Sequence, residues 1–194
     1  GIFLKPLKEK GIGILGIDPA KNISELANKD GIETITGYFN ETTANLILKD
    51  KGPVDLITAF NVFAHSDDLE GIAKNSFNIL KDEGILIIEV QYLLDTIKDL
   101  TFDNIYHEHV NYWSVTSMDY FFKKLNLQIF KVEHVDTHGG SIRAYVRRDK
   151  NDPVDASVET FLTNESNFGI KEFDTYKAFG KKIEDLKEET LRNL

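Results

Sequence analysis

The chain has 194 residues, enough to bury the core of one α/β domain with an appendage but not of two large domains. Hydrophobic residues at 41% and charged residues at 28% are ordinary globular values, and no apolar run reaches the length of a membrane span. A net charge of −9 argues against a nucleic-acid partner, whose phosphates call for a basic surface, and the lack of cysteine excludes disulfides and thiolate zinc sites, so a cytoplasmic setting is expected.

The chain opens on Gly1 and its one methionine is Met118, so a native N-terminus elsewhere is expected. Phe3, Leu4 and Leu7, followed by Lys8-Glu9-Lys10-Gly11, outline a short helix closed by glycine. The run "IGILGID" reads as a buried strand ending on Asp18, and Lys21 to Lys29 as a helix. A short strand at Ile32 to Ile35 leads through Gly37 to a helix near Glu41 to Lys49. Val54 to Phe60 is a strand ending at Asn61, and a helix follows from about Asp67 to Leu80. Gly84 begins "GILIIEV", a continuous apolar strand. Strands alternating with helices at these lengths indicate βαβ units and a parallel sheet covered on both faces.

The order then changes. Leu127 to Val135 and Ser141 to Arg148 are strand-like and separated only by Asp136-Thr137-His138-Gly139-Gly140, a hairpin connection. A mostly parallel sheet finished by an antiparallel hairpin is the outline of the class I methyltransferase (Rossmann-like) α/β fold. Beyond Val158, the apolar residues Phe173, Tyr176, Phe179, Ile183, Leu186 and Leu194 recur at helical spacing, giving a long amphipathic helix whose stripe is expected to pack.

The stretch Tyr106 to Trp113, "YHEHVNYW", concentrates the reactive side chains. Two histidines around a carboxylate suit a metal, with His65, His134 or His138 as a third ligand, but the strand–helix alternation is unlike the all-strand frame of a cupin site. The same cluster suits removal of a proton from carbon, because histidine titrates near working pH. In an extended segment Tyr106 and Glu108 face away from His107 and His109, so they converge only if the segment turns.

The motifs "NVFAHSDDL", "IIEVQYLLD", "FDNIYHEHVNYWS" and "THGGSIRAYVRR" occur in the order and spacing of the sugar C-methyltransferases that build branched deoxysugars on nucleotide carriers, and the resemblance runs from Gly1 to Leu194. It implies a core at residues 1–150 without its first strand, and a helical extension at residues 151–194 leading toward a C-terminal domain. A zinc-binding segment would precede the core, so contact with flanking domains is expected. The implied cofactor is S-adenosylmethionine, the implied substrate a nucleotide-linked 4-keto deoxysugar, and no metal is expected in the core.

For the cofactor, Gly1 would close the glycine-rich turn, and Asp18 would accept ribose hydroxyls unless it only caps the next helix. Phe39 would flank the adenine or belong to the core. Asn61 would stand at the carboxyl edge of the sheet or be an ordinary turn residue. His65 would lie near the sulfonium or bond backbone. The resemblance makes His109 the general base, with Tyr106 and Glu108 holding sugar hydroxyls or the enolate oxygen and His107 structural. Tyr112, His138, Gly139, Ser141 and Arg143 would contact substrate, the glycines by admitting a ligand close to the backbone. Arg143 would pair with diphosphate or lie in water on an edge strand. Glu89 would satisfy buried backbone donors, and Gln91 replaces the proline of the resembling enzymes. A catalytically incomplete module that binds sugar nucleotide or a partner domain is the alternative.

Overall fold

Residues 2–193 are described by a computed structural model, and they fall into two units: the chain up to Pro53 with Glu70–Ile79, and Val54–Leu69 with the chain from Leu80 onward. The first unit holds α1 (Leu4–Glu9), β1 (Gly16–Asp18), α2 (Lys21–Lys29), β2 (Thr34–Thr36), α3 (Glu41–Lys51) and all but the first residue of α4 (Leu69–Ile79). β1 and β2 pair in parallel, Gly16 opposite Thr34 and Asp18 opposite Thr36. A Cβ at Gly16 would lie 2.8 Å from Thr34 Oγ1, so the close pairing requires glycine there. The strand expected across "IGILGID" is thus confined to its last three residues, and the one expected at Ile32 to Ile35 moves to Thr34–Thr36. One reason is local: the Asn28 side chain takes both backbone groups of Thr34, accepting from its N–H at 3.0 Å and donating to its C=O at 2.8 Å.

The second unit is a four-stranded sheet in the order β3 (Val54–Phe60), β4 (Leu80–Gln91), β6 (Ser141–Arg148), β5 (Leu127–Val135). β3 and β4 are parallel, and the other two pairings are antiparallel. The hairpin expected from the sequence is therefore present, and its second strand lies inside the sheet. Leu86, Ile88 and Val90 of β4 and Ile142, Ala144 and Val146 of β6 are fully buried, which places the core on the two central strands. The expected α/β architecture, parallel strands finished by an antiparallel hairpin, is present. No described strand joins β1 to β3, so the ladder is divided into two sheets.

The second unit also holds α5 (Leu93–Lys98), α6 (Val115–Lys124), α7 (Ala156–Phe168) and α8 (Phe173–Arg192). The expected amphipathic helix forms as α8, but none of its residues is buried, and Phe173 and Leu191 are 72% and 64% exposed. The expectation that its apolar stripe packs does not hold among the described residues; Leu194 lies outside them. Its first turn is tied down by Thr175 Oγ1 to Gly169 O (2.8 Å) and Tyr176 Oη to Ile170 O (2.7 Å). No helix among the described residues is long and apolar enough to cross a membrane.

The start of α6 shows how a buried charge is accommodated. A helix leaves its first N–H groups without intrahelical partners. Here the Val115 N–H donates to Glu165 Oε1 at 2.6 Å, the Thr116 N–H to Glu165 Oε2 at 2.7 Å, and the Ser117 N–H to Ser114 Oγ at 3.1 Å. Glu165 belongs to α7 and is fully buried. Its negative charge also sits at the positive end of the α6 dipole. Glu165→Gln would turn one acceptor into a donor facing an N–H, and the loss is expected to be about 1.5–3 kcal/mol, the range for hydrogen bonds to charged groups. Urea unfolding of the variant should show a lowered midpoint, whereas an unchanged midpoint would mean that the cap contributes little.

Candidate active site

The loop carrying "YHEHVN" is held against the segment after β3 by backbone bonding. The Ala64 carbonyl accepts the N–H groups of Val110 (2.9 Å) and Asn111 (3.3 Å), and the Asn111 amide donates to Ser66 O (2.8 Å). Next to Ala64, Phe63 is fully buried against Trp113 and Phe122, with ring centroids 6.4 and 6.3 Å away. Two distant motifs are thereby brought together in one unit.

Within the loop the chain does turn. The His109 N–H donates to Tyr106 O at 3.0 Å, closing a turn over Tyr106 to His109 that puts these two side chains on one side. Their ring centroids are 4.4 Å apart, and Tyr106 Oη is 3.4 Å from His109 Nε2. His109 Nδ1 lies 2.8 Å from the Asn104 carbonyl. A carbonyl only accepts, so Nδ1 carries the hydrogen and the neutral ring keeps its lone pair on Nε2, beside the tyrosine hydroxyl. His65 is set in the same way: its Nδ1 is 2.9 Å from Glu108 O, and its ring is 4.8 Å from that of His109. Tyr112 completes the cluster, its ring 6.4 Å from His109 and its hydroxyl 3.5 Å from Asn104 O.

His107 and Glu108 stand on the solvent side of this cluster, the His107 ring 6.1 Å from that of Tyr106. The side chains of His107 and Glu108 are 89% and 61% exposed and lie 3.9 Å apart. What Glu108 gives the cluster is its backbone carbonyl. The two motif histidines do not act as a pair, and among the described residues no three histidine or acidic side chains converge as metal ligands.

Arg143 and Glu89 differ from expectation. Arg143 Nε and Nη2 donate to Glu89 Oε2 at 3.0 and 2.6 Å, between facing positions of β6 and β4, and the guanidinium lies 5.5 Å from the Phe60 ring centroid. These bonds to Glu89 raise the Arg143 pKa above its ordinary value. Arg143 is thus an interior-strand ion pair and not an edge residue in water, and Glu89 meets a cation in place of backbone donors. The "THGGS" turn is likewise structural in part. Ser141 is fully buried, its hydroxyl donating to Thr137 O at 3.0 Å. A Cβ at Gly140 (φ +105°) would lie 2.2 Å from Asp95 Oδ2, so the close approach this glycine permits is to Asp95, where a ligand was expected. Asp95 in turn meets His134 Nε2 at 2.7 Å. His138 and Gly139 are exposed at the tip, both at positive φ.

The expected cofactor residues are distributed over both units. In the first, Asp18 ends β1 with Oδ1 accepting the Ala20 N–H at 2.8 Å at the start of α2, and Phe39 is half-buried. In the second, Asn61 follows β3 in the left-handed region (φ 54°), its N–H bonded to Glu89 O at 2.8 Å. Gly1 lies outside the described residues. Asn104 and Gln91, which joins Asn104 by a side-chain bond of 3.0 Å, had no assigned role in the sequence. A backbone carbonyl leaves no mark in residue identity, although Asn104 stands inside the "FDNIYHEH" motif.

Comparison with known proteins accords with this architecture. Residues 1–132 match the methyltransferase domain family, and residues 136–194 match the C-methyltransferase C-terminal domain. The C-methyltransferase NovU of Streptomyces niveus is 31% identical over 185 residues, 95% of this chain and 44% of that protein. The chain spans less than half the length of the curated relatives it matches. Among solved structures, a SAM-dependent methyltransferase of Thermotoga maritima, a possible histamine N-methyltransferase, aligns with TM-score 0.54 at 22% identity, covering 73% of this chain and 75% of that one. The magnesium protoporphyrin IX methyltransferase of Synechocystis PCC 6803, solved with bound SAH, aligns with TM-score 0.56 at 11% identity, covering 74% and 68%. With residues 1–132 matched and the fold shared, this chain belongs to the methyltransferase domain family, and its C-terminal part is similar to the C-methyltransferase C-terminal domain.

Proposed function

We propose that the chain is the methyl-transferring core of a C-methyltransferase that acts next to the ketone of a nucleotide-linked 4-keto deoxysugar in the cytoplasm, within a protein whose flanking domains help to hold the substrate. The observation that carries this reading is His109: a backbone carbonyl fixes its Nδ1–H and leaves the Nε2 lone pair beside a tyrosine hydroxyl. A positioned base of this kind is what C–H deprotonation next to a ketone requires.

His109 Nε2 accepts the proton from the carbon next to the ketone, and the C–H electron pair moves into the C–C bond as the carbonyl π pair shifts onto oxygen. Tyr106 is placed to donate to that enolate oxygen, and a donor fixed in advance stabilises the developing charge without reorganisation. His65, with its own Nε2 left unprotonated by the Glu108 carbonyl, holds the neighbouring polar group of substrate or cofactor. Tyr112 and the tip residues His138 and Gly139 are the remaining candidates for sugar contact. Glu108 reaches a substrate hydroxyl only on the solvent side of the loop, and Ser141 and Arg143 act through the hairpin they brace.

The residues present fit S-adenosylmethionine. Asp18 has one carboxylate oxygen fixed by the Ala20 N–H and the other without a protein partner among the described residues, which suits ribose hydroxyls. Phe39, in the same unit as Asp18, would flank the adenine. When bound, the cofactor supplies an electrophilic methyl group to the enolate carbon and is left as a neutral thioether.

In the full-length protein, His109→Asn is expected to lower methyl transfer to a 4-ketosugar nucleotide by roughly 10²- to 10⁴-fold, the span for one general acid–base group, with cofactor affinity unchanged. Turnover within a few-fold of the parent would remove His109 from the reaction. Asp18→Ala should leave the circular dichroism unaltered and weaken S-adenosylmethionine binding by about 1.5–3 kcal/mol, the value of charged hydrogen bonds. Equal calorimetric affinity for the two proteins would move the ribose contact elsewhere.

A further inference from the structure

Gln91 is the last residue of β4, a central strand whose register with β6 sets it opposite the fully buried Ser141. The strand end is therefore rigid. From it the Gln91 side-chain amide donates to Asn104 Oδ1 at 3.0 Å. Asn104 closes the 3-10 turn Phe102–Asn104, in which Phe102 is 37% exposed, and Ile105 after it is 55% exposed, so neither side chain is buried in the core. Its own carbonyl is the acceptor that orients His109. A side chain of a rigid strand thus holds this turn, and the turn fixes the tautomer of the imidazole.

We propose that Gln91 is a positioning residue for His109, acting through Asn104 by keeping the Asn104 carbonyl aimed at Nδ1. The inference rests on the reading of His109 as the general base. A residue without a side-chain amide at this position could not donate to Asn104 Oδ1. If the amide is lost, the turn shifts, the carbonyl no longer demands the Nδ1–H form, and the ring populates the Nε2–H tautomer, which cannot accept a proton at Nε2.

Gln91→Leu keeps the bulk and removes the amide. Nitrogen-15 spectra of the imidazoles at alkaline pH, with His109 assigned by its absence in His109→Asn, should show the Nδ1–H form dominant in the parent and a shift toward Nε2–H in Gln91→Leu. Gln91→Asn, polar but one carbon shorter, should give the same shift and serves if the leucine variant misfolds. In the full-length protein kcat should fall about ten- to a hundredfold with KM little changed, as small misplacements of a reacting group do. Because the two residues act in series, Gln91→Leu/Asn104→Ala should be about as slow as Asn104→Ala alone, a non-additivity expected of residues sharing one hydrogen-bond chain. An unshifted His109 tautomer in both Gln91 variants, or multiplicative losses in the double variant, would overturn the proposal. The spectra do not depend on turnover. A tautomer shift in a protein where His109→Asn leaves methyl transfer intact would support the Gln91–Asn104–His109 linkage while removing the general-base reading.

Discussion

The seam between residues 64–66 and 108–111 is the constraint on which the candidate site depends. One carbonyl, that of Ala64, takes two N–H groups, Asn111 adds a side-chain bond to Ser66, and His65 returns a bond to Glu108 O. Such bonds contribute about 1 kcal/mol each in net terms, so their effect is mainly geometric. Buried Phe63 anchors one side of the seam and Trp113 the other. With both sides fixed, the four-residue turn between them has few conformations left. It is this restriction that places Tyr106, His109 and His65 within ring contact.

The same unit shows a division between residues that look like ligand contacts and residues that act as braces. Arg143 and Ser141 carry groups suited to phosphate and hydroxyl recognition, yet their partners are Glu89 and Thr137. Removing one partner of the largely buried Glu89–Arg143 pair would leave an uncompensated charge, which is strongly destabilising. Gly140 serves Asp95, and Asp95 serves His134. The hairpin motif is thereby locked to α5 and to the end of β4, the strand from which Gln91 reaches the site.

Much of the fold was legible in the sequence because its signals were local. The limits of β3, β5 and β6 follow from apolar runs bounded by Asn61 and by the five-residue turn, and the structure places them there. The first-unit strands were overextended because apolar character alone does not form a ladder, and Asn28 closes off Thr34. The helices α5, α6 and α7 escaped the sequence reading: α5 is one and a half turns long, and the start of α6 is completed by Glu165, fifty residues away. At the site, the sequence could name the reactive side chains but could not show which of them converge. An alternation argument sets Tyr106 against His109, and only the turn closed by the His109 N–H brings them together. The carbonyls of Asn104, Ala64 and Glu108 have no sequence signature at all.

The central claim is that His109 Nε2 takes a proton from the carbon next to a ketone. Incubating the full-length protein with a 4-ketosugar nucleotide and S-adenosylhomocysteine in deuterium oxide separates that step from methyl transfer, provided that the bound proton exchanges with solvent. Mass spectrometry should show deuterium entering that carbon with the parent protein, and not with His109→Asn above the rate without protein. Equal incorporation by the parent and His109→Asn would contradict the account, because the proton would then leave through another group.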